Sequence, residues 1–114
     1  MSGALKFTVV IAMGALLAGC QTNLESAPPV TESFIRAGRL REKTDAPTLA
    51  EGRRVFLNRC IACHALPDPA RFDSERLTRI VGWMSGRAHL SPEQHEALVK
   101  YLRTVRSQAL EPLR

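Results

Sequence analysis

The sequence predicts a small helical fold, because three segments combine a helix start signal with apolar residues at helical spacing. The first signal is Thr48–Glu51 (TLAE), a capping box in which each of the two end side chains can accept a hydrogen bond from the other residue's backbone amide. Asp73 or Ser74 provides the second N-cap. The third signal is Ser91–Gln94 (SPEQ), a serine cap followed by proline at N1 and glutamine at N3. The chain is long enough for one small domain of such helices.

The first helix is expected over residues 49–59, because Pro47 disfavours an earlier helical turn. The helix is expected to end directly before Cys60. Gly52 lies on its apolar face and permits close approach of another helix. We therefore expect another helix to pack closely at this glycine.

The second helix is expected from its N-cap to about Ser85, with Gly86 as the residue that ends it. The third begins at Pro92. Each carries an apolar face at helical spacing. In the second helix this stripe is Leu77, Ile80, Val81 and Met84, and in the third it is His95, Leu98, Val99, Leu102 and Val105, with Tyr101 at the edge.

The N-terminal segment, residues 1–19, has the short apolar core of a secretory signal, so we expect export. Its ending, Leu17–Cys20 (LAGC), resembles the lipobox of bacterial lipoproteins. That resemblance implies a lipid on the Cys20 sulfur and membrane anchoring on the periplasmic side. Gln21, in place of a retention aspartate, favours the outer membrane. The alternative is an ordinary cleavage near Ala18, which leaves Cys20 as a thiol.

Residues 20–47 have the composition of a tether. The Pro28–Pro29 pair favours an extended, semi-rigid chain. Residues 33–44 can form a short helix within it. The sequence therefore predicts a linker between a membrane anchor and the helical domain.

The pentapeptide Cys60–His64 (CIACH) carries the clearest chemistry in the chain. Two thiols at this spacing can each add to a vinyl group of one porphyrin, while the adjacent imidazole binds the iron. A zinc site needs a second ligand pair, and a redox dithiol is expected in a βαβ context. The motif therefore predicts one covalent haem c, with thioethers at Cys60 and Cys63 and with His64 as the proximal iron ligand.

Residues from about 49 to 105 resemble small bacterial members of the class I cytochrome c family that carry the CHxLP variant. The pattern comprises Gly52–Phe56, Cys60–Pro67, Trp83-Met84 and Val99–Leu102. The resemblance implies an all-α, cytochrome c-like domain at residues 48–107, wrapped around the haem and followed by a tail at 108–114. It also implies that the first and last helices cross near Gly52 and Tyr101.

Cytochromes of this family hold iron by His and Met, and Met84 is the only methionine left after the signal is removed. We therefore expect Met84 as the distal ligand, and the alternative is that it only fills the core. His89 is the second candidate. His95 is expected at the surface or at a helix seam. Arg87 could pair with a haem propionate or stay exposed.

The expected function is electron transfer by a membrane-tethered carrier, because a six-coordinate iron has no vacancy for a substrate. We expect no enzymatic activity and no small-molecule substrate. The alternatives are a five-coordinate haem that binds a gas or peroxide, as a sensor or enzyme, and a haem accessory subunit of a larger oxidoreductase. Optical spectra separate the electron carrier from the five-coordinate haem.

The formal charge of +5 comes from an excess of arginine. An exported chain rarely meets nucleic acid, so we expect no nucleic-acid partner. An acidic redox protein or anionic lipid head groups would suit this charge. A basic surface that serves only solubility is the alternative.

Overall fold

Four complete α-helices lie within the part of the chain that the computed structural model describes, residues 26–60 and 68–111. The helices are α1 (Glu32–Glu42), α2 (Ala46–Val55), α3 (Ser74–Arg87) and α4 (Pro92–Leu110). A π-helical turn, Phe56–Cys60, continues α2, and a 3-10 turn, Pro69–Arg71, precedes α3. These two ranges contain no strand. The all-α class is therefore confirmed for them, and none of their helices is long and apolar enough to cross a membrane.

Helix α2 begins earlier than the sequence predicts, because Asp45 rather than Thr48 is its N-cap. The Asp45 carboxylate accepts a hydrogen bond from the Thr48 backbone amide at 2.9 Å, which lowers the pKa of that carboxyl. Pro47 lies in the first turn, where an amide hydrogen would have no partner within the helix. Glu51 instead pairs with Arg54. The predicted Thr48–Glu51 capping box is therefore wrong.

Helices α2 and α4 make the closest contact of the domain, at Gly52. A Cβ atom added to Gly52 would lie 2.5 Å from the Cβ of Tyr101 and closer still to the carbonyl oxygen of Ala97. Only glycine permits this approach of the two helices. The predicted close approach at Gly52 is therefore confirmed. Tyr101, expected at the edge of α4, lies instead at the centre of the core with no exposed surface.

Helix α1 packs on α4, although it belongs to the segment predicted as a tether. Phe34 is buried, and its ring lies 5.4 Å from that of Tyr101, centre to centre. The Arg41 guanidinium donates hydrogen bonds to the carbonyl oxygens of Ser107 and Glu111 at the end of α4. The short helix expected at residues 33–44 is confirmed, and from residue 26 onward the segment belongs to the folded domain. The apolar side of this segment is narrow, which is why its composition resembles that of a linker.

The residues just before α1 are held by hydrogen bonds to their backbone. The Tyr101 hydroxyl donates to the carbonyl oxygen of Pro28 at 2.8 Å. The Arg53 guanidinium donates to the carbonyl oxygens of Ala27 and Pro28 at 3.3 and 3.1 Å. Burial raises the pKa of the Tyr101 phenol, so the hydroxyl stays a donor. Residues 27 and 28 are thereby fixed to both α2 and α4.

Helix α3 begins at the predicted N-cap but extends past the predicted end. Asp73 accepts a hydrogen bond from the Arg76 amide at 2.7 Å. Gly86 is helical, and the helix ends in a Schellman pattern in which His89 occupies the left-handed position with φ of 52°. The Leu90 amide donates to the Ser85 carbonyl oxygen, and the His89 amide donates to that of Gly86. The prediction that Gly86 stops the helix is therefore wrong.

Helix α4 begins as predicted. The Ser91 hydroxyl accepts from the Gln94 amide at 3.2 Å, and the Gln94 side chain accepts from the Ser91 amide at 3.0 Å. Both hydrogen bonds of the capping box are therefore present, and Pro92 occupies N1. The firm start of α4 fixes the helix against which the other three pack.

Candidate functional site

A cavity of about 450 Å³ lies between α3, α4 and the π-helical turn. Its lining is mostly apolar. The apolar residues that line it, apart from Met84 and Ala88, are Phe56, Phe72, Leu77, Ile80, Val81, Leu98 and Leu102. A concave site of this size and polarity is typical of small-molecule and cofactor binding, for which volumes of about 300–1,000 Å³ are usual.

Cys60 and Met84 line this same cavity although they belong to separate segments of the chain. Cys60 is the last residue of the π-helical turn, whose first residue, Phe56, is buried in the core. Single π-helical turns occur frequently at functional sites. Met84 comes from the apolar stripe of α3. All four residues of that predicted stripe line the cavity, which confirms the prediction that they share one face of α3.

Two arginines also line the cavity, Arg59 beside Cys60 and Arg87 near the end of α3. Both side chains are otherwise exposed. Arg87 additionally places its guanidinium 5.1 Å from the ring centre of Trp83. Neither arginine forms an ion pair with the described part of the chain, so both remain available to an anionic group.

The remaining predicted haem residues, Cys63 and His64, lie outside the described residues, as does the predicted lipidation site Cys20. Their roles stay predictions. Within residues 26–60 and 68–111, no three His, Cys, Asp or Glu side chains form a metal site.

The residues present fit a covalent haem. The apolar lining suits a flat macrocycle, and the two arginines suit its propionate carboxylates, because guanidinium binds carboxylate strongly. The Cys60 thiol is suited to a thioether bond, and the Met84 thioether is a known type of haem iron ligand. The sequence motif identified Cys60, and the scarcity of methionine identified Met84. Arg59 and Phe72 carried no sequence signal of their own.

His89, the second candidate for the distal ligand, does not lie at the cavity. It is exposed at the turn after α3, and the described residues that line the cavity do not include it. Its backbone has the left-handed conformation that ends the helix. A non-glycine residue is unfavourable there, although histidine is tolerated better than most.

We expect the His89→Gly variant to be more stable than the unchanged chain by about 1 kcal/mol, because glycine adopts the left-handed region without strain. Urea unfolding of both proteins would measure the difference. His89→Ala is the matched control, since it also removes the imidazole but keeps the unfavourable backbone. If both variants changed the optical spectrum of bound haem, His89 would be an iron ligand after all.

His95 joins α4 to α3, as expected of a seam residue. Its Nδ1 lies 2.6 Å from the Ser85 hydroxyl oxygen. That hydroxyl donates its single proton to the Val81 carbonyl oxygen at 2.7 Å, so the histidine nitrogen must be the donor in the pair. The contact holds α3 against α4 one residue after Met84. Ser85 was missed by the sequence analysis, because nothing in the pattern links it to a residue ten positions later.

The described residues define an all-α protein with a cofactor-sized apolar cavity that holds one thiol and one thioether. Comparisons with protein-family models, curated proteins and solved structures found no match.

Proposed function

We propose that the chain is a c-type cytochrome with one covalent haem, which carries single electrons between exported redox partners. The observation that carries the proposal is the meeting of Cys60 and Met84 on one apolar cavity. The first residue belongs to the haem attachment motif, and the second is the thioether that the resemblance implies as distal ligand. The two residues come from separate elements, so their convergence on one cavity favours a shared cofactor.

The chain's residues would divide the work as follows. Cys60 and Cys63 would hold the porphyrin through thioether bonds, and His64 and Met84 would bind the iron. When bound, the haem supplies a one-electron couple. The apolar side chains of the cavity would exclude water, and Arg59 and Arg87 would offset the propionate charges. The His95 contact to Ser85 would keep α3, and with it Met84, in place.

The setting that we propose is a membrane surface facing the periplasm. A lipid on Cys20 would anchor the chain, with the outer membrane favoured by Gln21. The partners would be other redox proteins, with acidic surfaces that match the basic charge of the chain. The contact of α2 with α4 at Gly52 and Tyr101 also fits the crossing of the first and last helices that the cytochrome c resemblance implies.

The proposal is tested by exporting the full chain from cells that carry a cytochrome c maturation system. Intact-mass measurement should show the added mass of one haem, and the absorption spectrum should be that of a low-spin c-type cytochrome. Resistance of the ferrous form to carbon monoxide would support the electron carrier. A colourless product would contradict the proposal, and rapid binding of carbon monoxide would indicate the gas-binding alternative.

We expect Met84→Ala to remove the ferric sulfur-to-iron absorption band and to let carbon monoxide bind. The reduction potential should shift within the range of roughly 0.8 V that axial ligands control, because the thioether favours ferrous iron. Absorption spectra and a redox titration would measure these effects. Ile80→Ala is the matched control, since it shortens another cavity-lining side chain of α3. An unchanged band in Met84→Ala would mean that Met84 only fills the core.

A further inference from the structure

The outer side of α3 carries an exposed group of arginines around the only tryptophan of the chain. We call Arg76, Arg79, Trp83 and Arg87 the α3 face; their spacing of three, four and four residues places them on one side of the helix. Trp83 is 71% exposed. The Arg87 guanidinium stacks on its ring, and that of Arg76 lies 5.7 Å from the ring centre of Phe72. These planar groups are held in place by stacking.

Two glycines beside Trp83 leave the α3 face open. A Cβ atom added to Gly86 would meet no atom within 4 Å, and one added to Gly82 would meet only His95, at 4.0 Å. Neither glycine has a positive φ, so the backbone requires glycine at neither position. Glycine weakens a helix relative to alanine. Packing within the described residues does not explain the two glycines, whereas close approach by a partner would.

A groove of about 570 Å³ runs along this face, lined by Arg76, Arg79, Ile80, Gly82 and Trp83. Ile80 also lines the cavity that holds Cys60 and Met84, and so does Arg87. The α3 face is therefore continuous with the wall of the proposed haem site. A protein bound here would lie against the same helix that carries the proposed distal ligand.

The charge of the α3 face selects an acidic partner. Helix α3 holds three arginines and one glutamate, and Glu75 already pairs with Arg79 at 2.9 Å. Tryptophan and arginine are the residues that most often dominate the binding energy of protein interfaces. Complementary charge raises the rate of encounter with such a partner.

We propose that the α3 face is the docking surface for an acidic protein that exchanges electrons with this chain. The redox role of that partner rests on the proposed function, whereas the docking surface rests on exposure, charge and the open glycines alone. A concave groove beside the cofactor cavity fits a protein side chain better than a planar layer of lipid head groups, which would suit the same residue types.

The test uses the full chain and measures its binding to poly-L-glutamate by isothermal titration calorimetry, at low and at physiological ionic strength. We expect Arg76→Gln/Arg79→Gln to weaken binding about five- to tenfold. Trp83→Ala should weaken it by about tenfold. Gly86→Leu keeps every charge and fills open space, so its expected loss of binding would report a steric contact on the α3 face.

The matched control is Arg36→Gln/Arg39→Gln, which removes the same charge from exposed positions of α1. It should change binding by less than about twofold. Equal losses in the two arginine pairs would overturn the docking surface. Binding to phosphatidylglycerol vesicles that depends on Trp83, without Trp83-dependent binding to polyglutamate, would overturn it in favour of a membrane contact.

The two proposals fail separately in this design. The absorption spectrum of the same sample reports the haem, whereas calorimetry reports the α3 face. A colourless chain that binds polyglutamate through the α3 face would contradict only the proposed function. A coloured chain whose binding to polyglutamate is unchanged by the α3-face substitutions would contradict only the docking surface.

Discussion

The double variant Cys60→Ala/Cys63→Ala is expected to be colourless and to lose most of its stable helix. Without covalent haem, the cavity of about 450 Å³ would have no occupant. The apolar side chains that line the cavity would then face water, which removes hydrophobic stabilisation from this part of the core. The whole stability of a typical domain is only about 5–15 kcal/mol, so the loss of this apolar contact can unfold much of it. The porphyrin would therefore supply much of the core that the chain itself lacks.

Far-UV circular dichroism and the absorption spectrum of the purified variant would measure this effect. Ile80→Ala is the matched control, because it shortens a side chain that lines the cavity but keeps both cysteines, so haem attachment and helix content should be unchanged. A native-like helical spectrum from the colourless double variant would show that the four helices are stable without a cofactor.

We expect Gly52→Ala to lower the free energy of unfolding by about 3 kcal/mol. The new methyl group would overlap Tyr101 and the Ala97 carbonyl, so α2 and α4 would have to separate. This loss outweighs the gain of about 1 kcal/mol that alanine brings to a helix interior. Urea unfolding of the variant and of the unchanged chain measures the difference.

Gly86→Ala is the control for the same exchange at an open position. It should raise the free energy of unfolding by about 0.5–1 kcal/mol, because its methyl group meets no atom within 4 Å. If the two variants were equally stable, the contact at Gly52 would not be a tight one.

Sequence reasoning was most successful where a helix start is encoded in a few neighbouring residues. The Ser91 capping box is present as predicted, and the stripe from Leu77 to Met84 lines one cavity. It failed where two local signals compete. Asp45 takes the N-cap from Thr48, because proline in the first turn of a helix loses no hydrogen bond.

Contacts between distant segments could not be predicted from local pattern. Nothing in the sequence near Phe34 shows that its ring packs on Tyr101, so the segment resembled a linker. At the end of α3, Gly86 is the residue type expected to stop a helix, but His89 is the residue that adopts the left-handed conformation. Of the candidate site, the sequence predicted Cys60 and Met84, whereas Arg59 and Phe72 became visible only once the helices were assembled.

If Cys20 carries the predicted lipid, the hydrogen bonds from Tyr101 and Arg53 to Pro28 would limit how far the domain could move from the membrane. With a lipid on Cys20, only six peptide steps would separate the anchor from Ser26. A fully extended chain covers about 3.3–3.6 Å per residue, so the segment from Cys20 to Ser26 would span no more than roughly 20 Å. The domain would then stay within about its own diameter of the lipid surface, and electron partners would have to meet it in that thin layer.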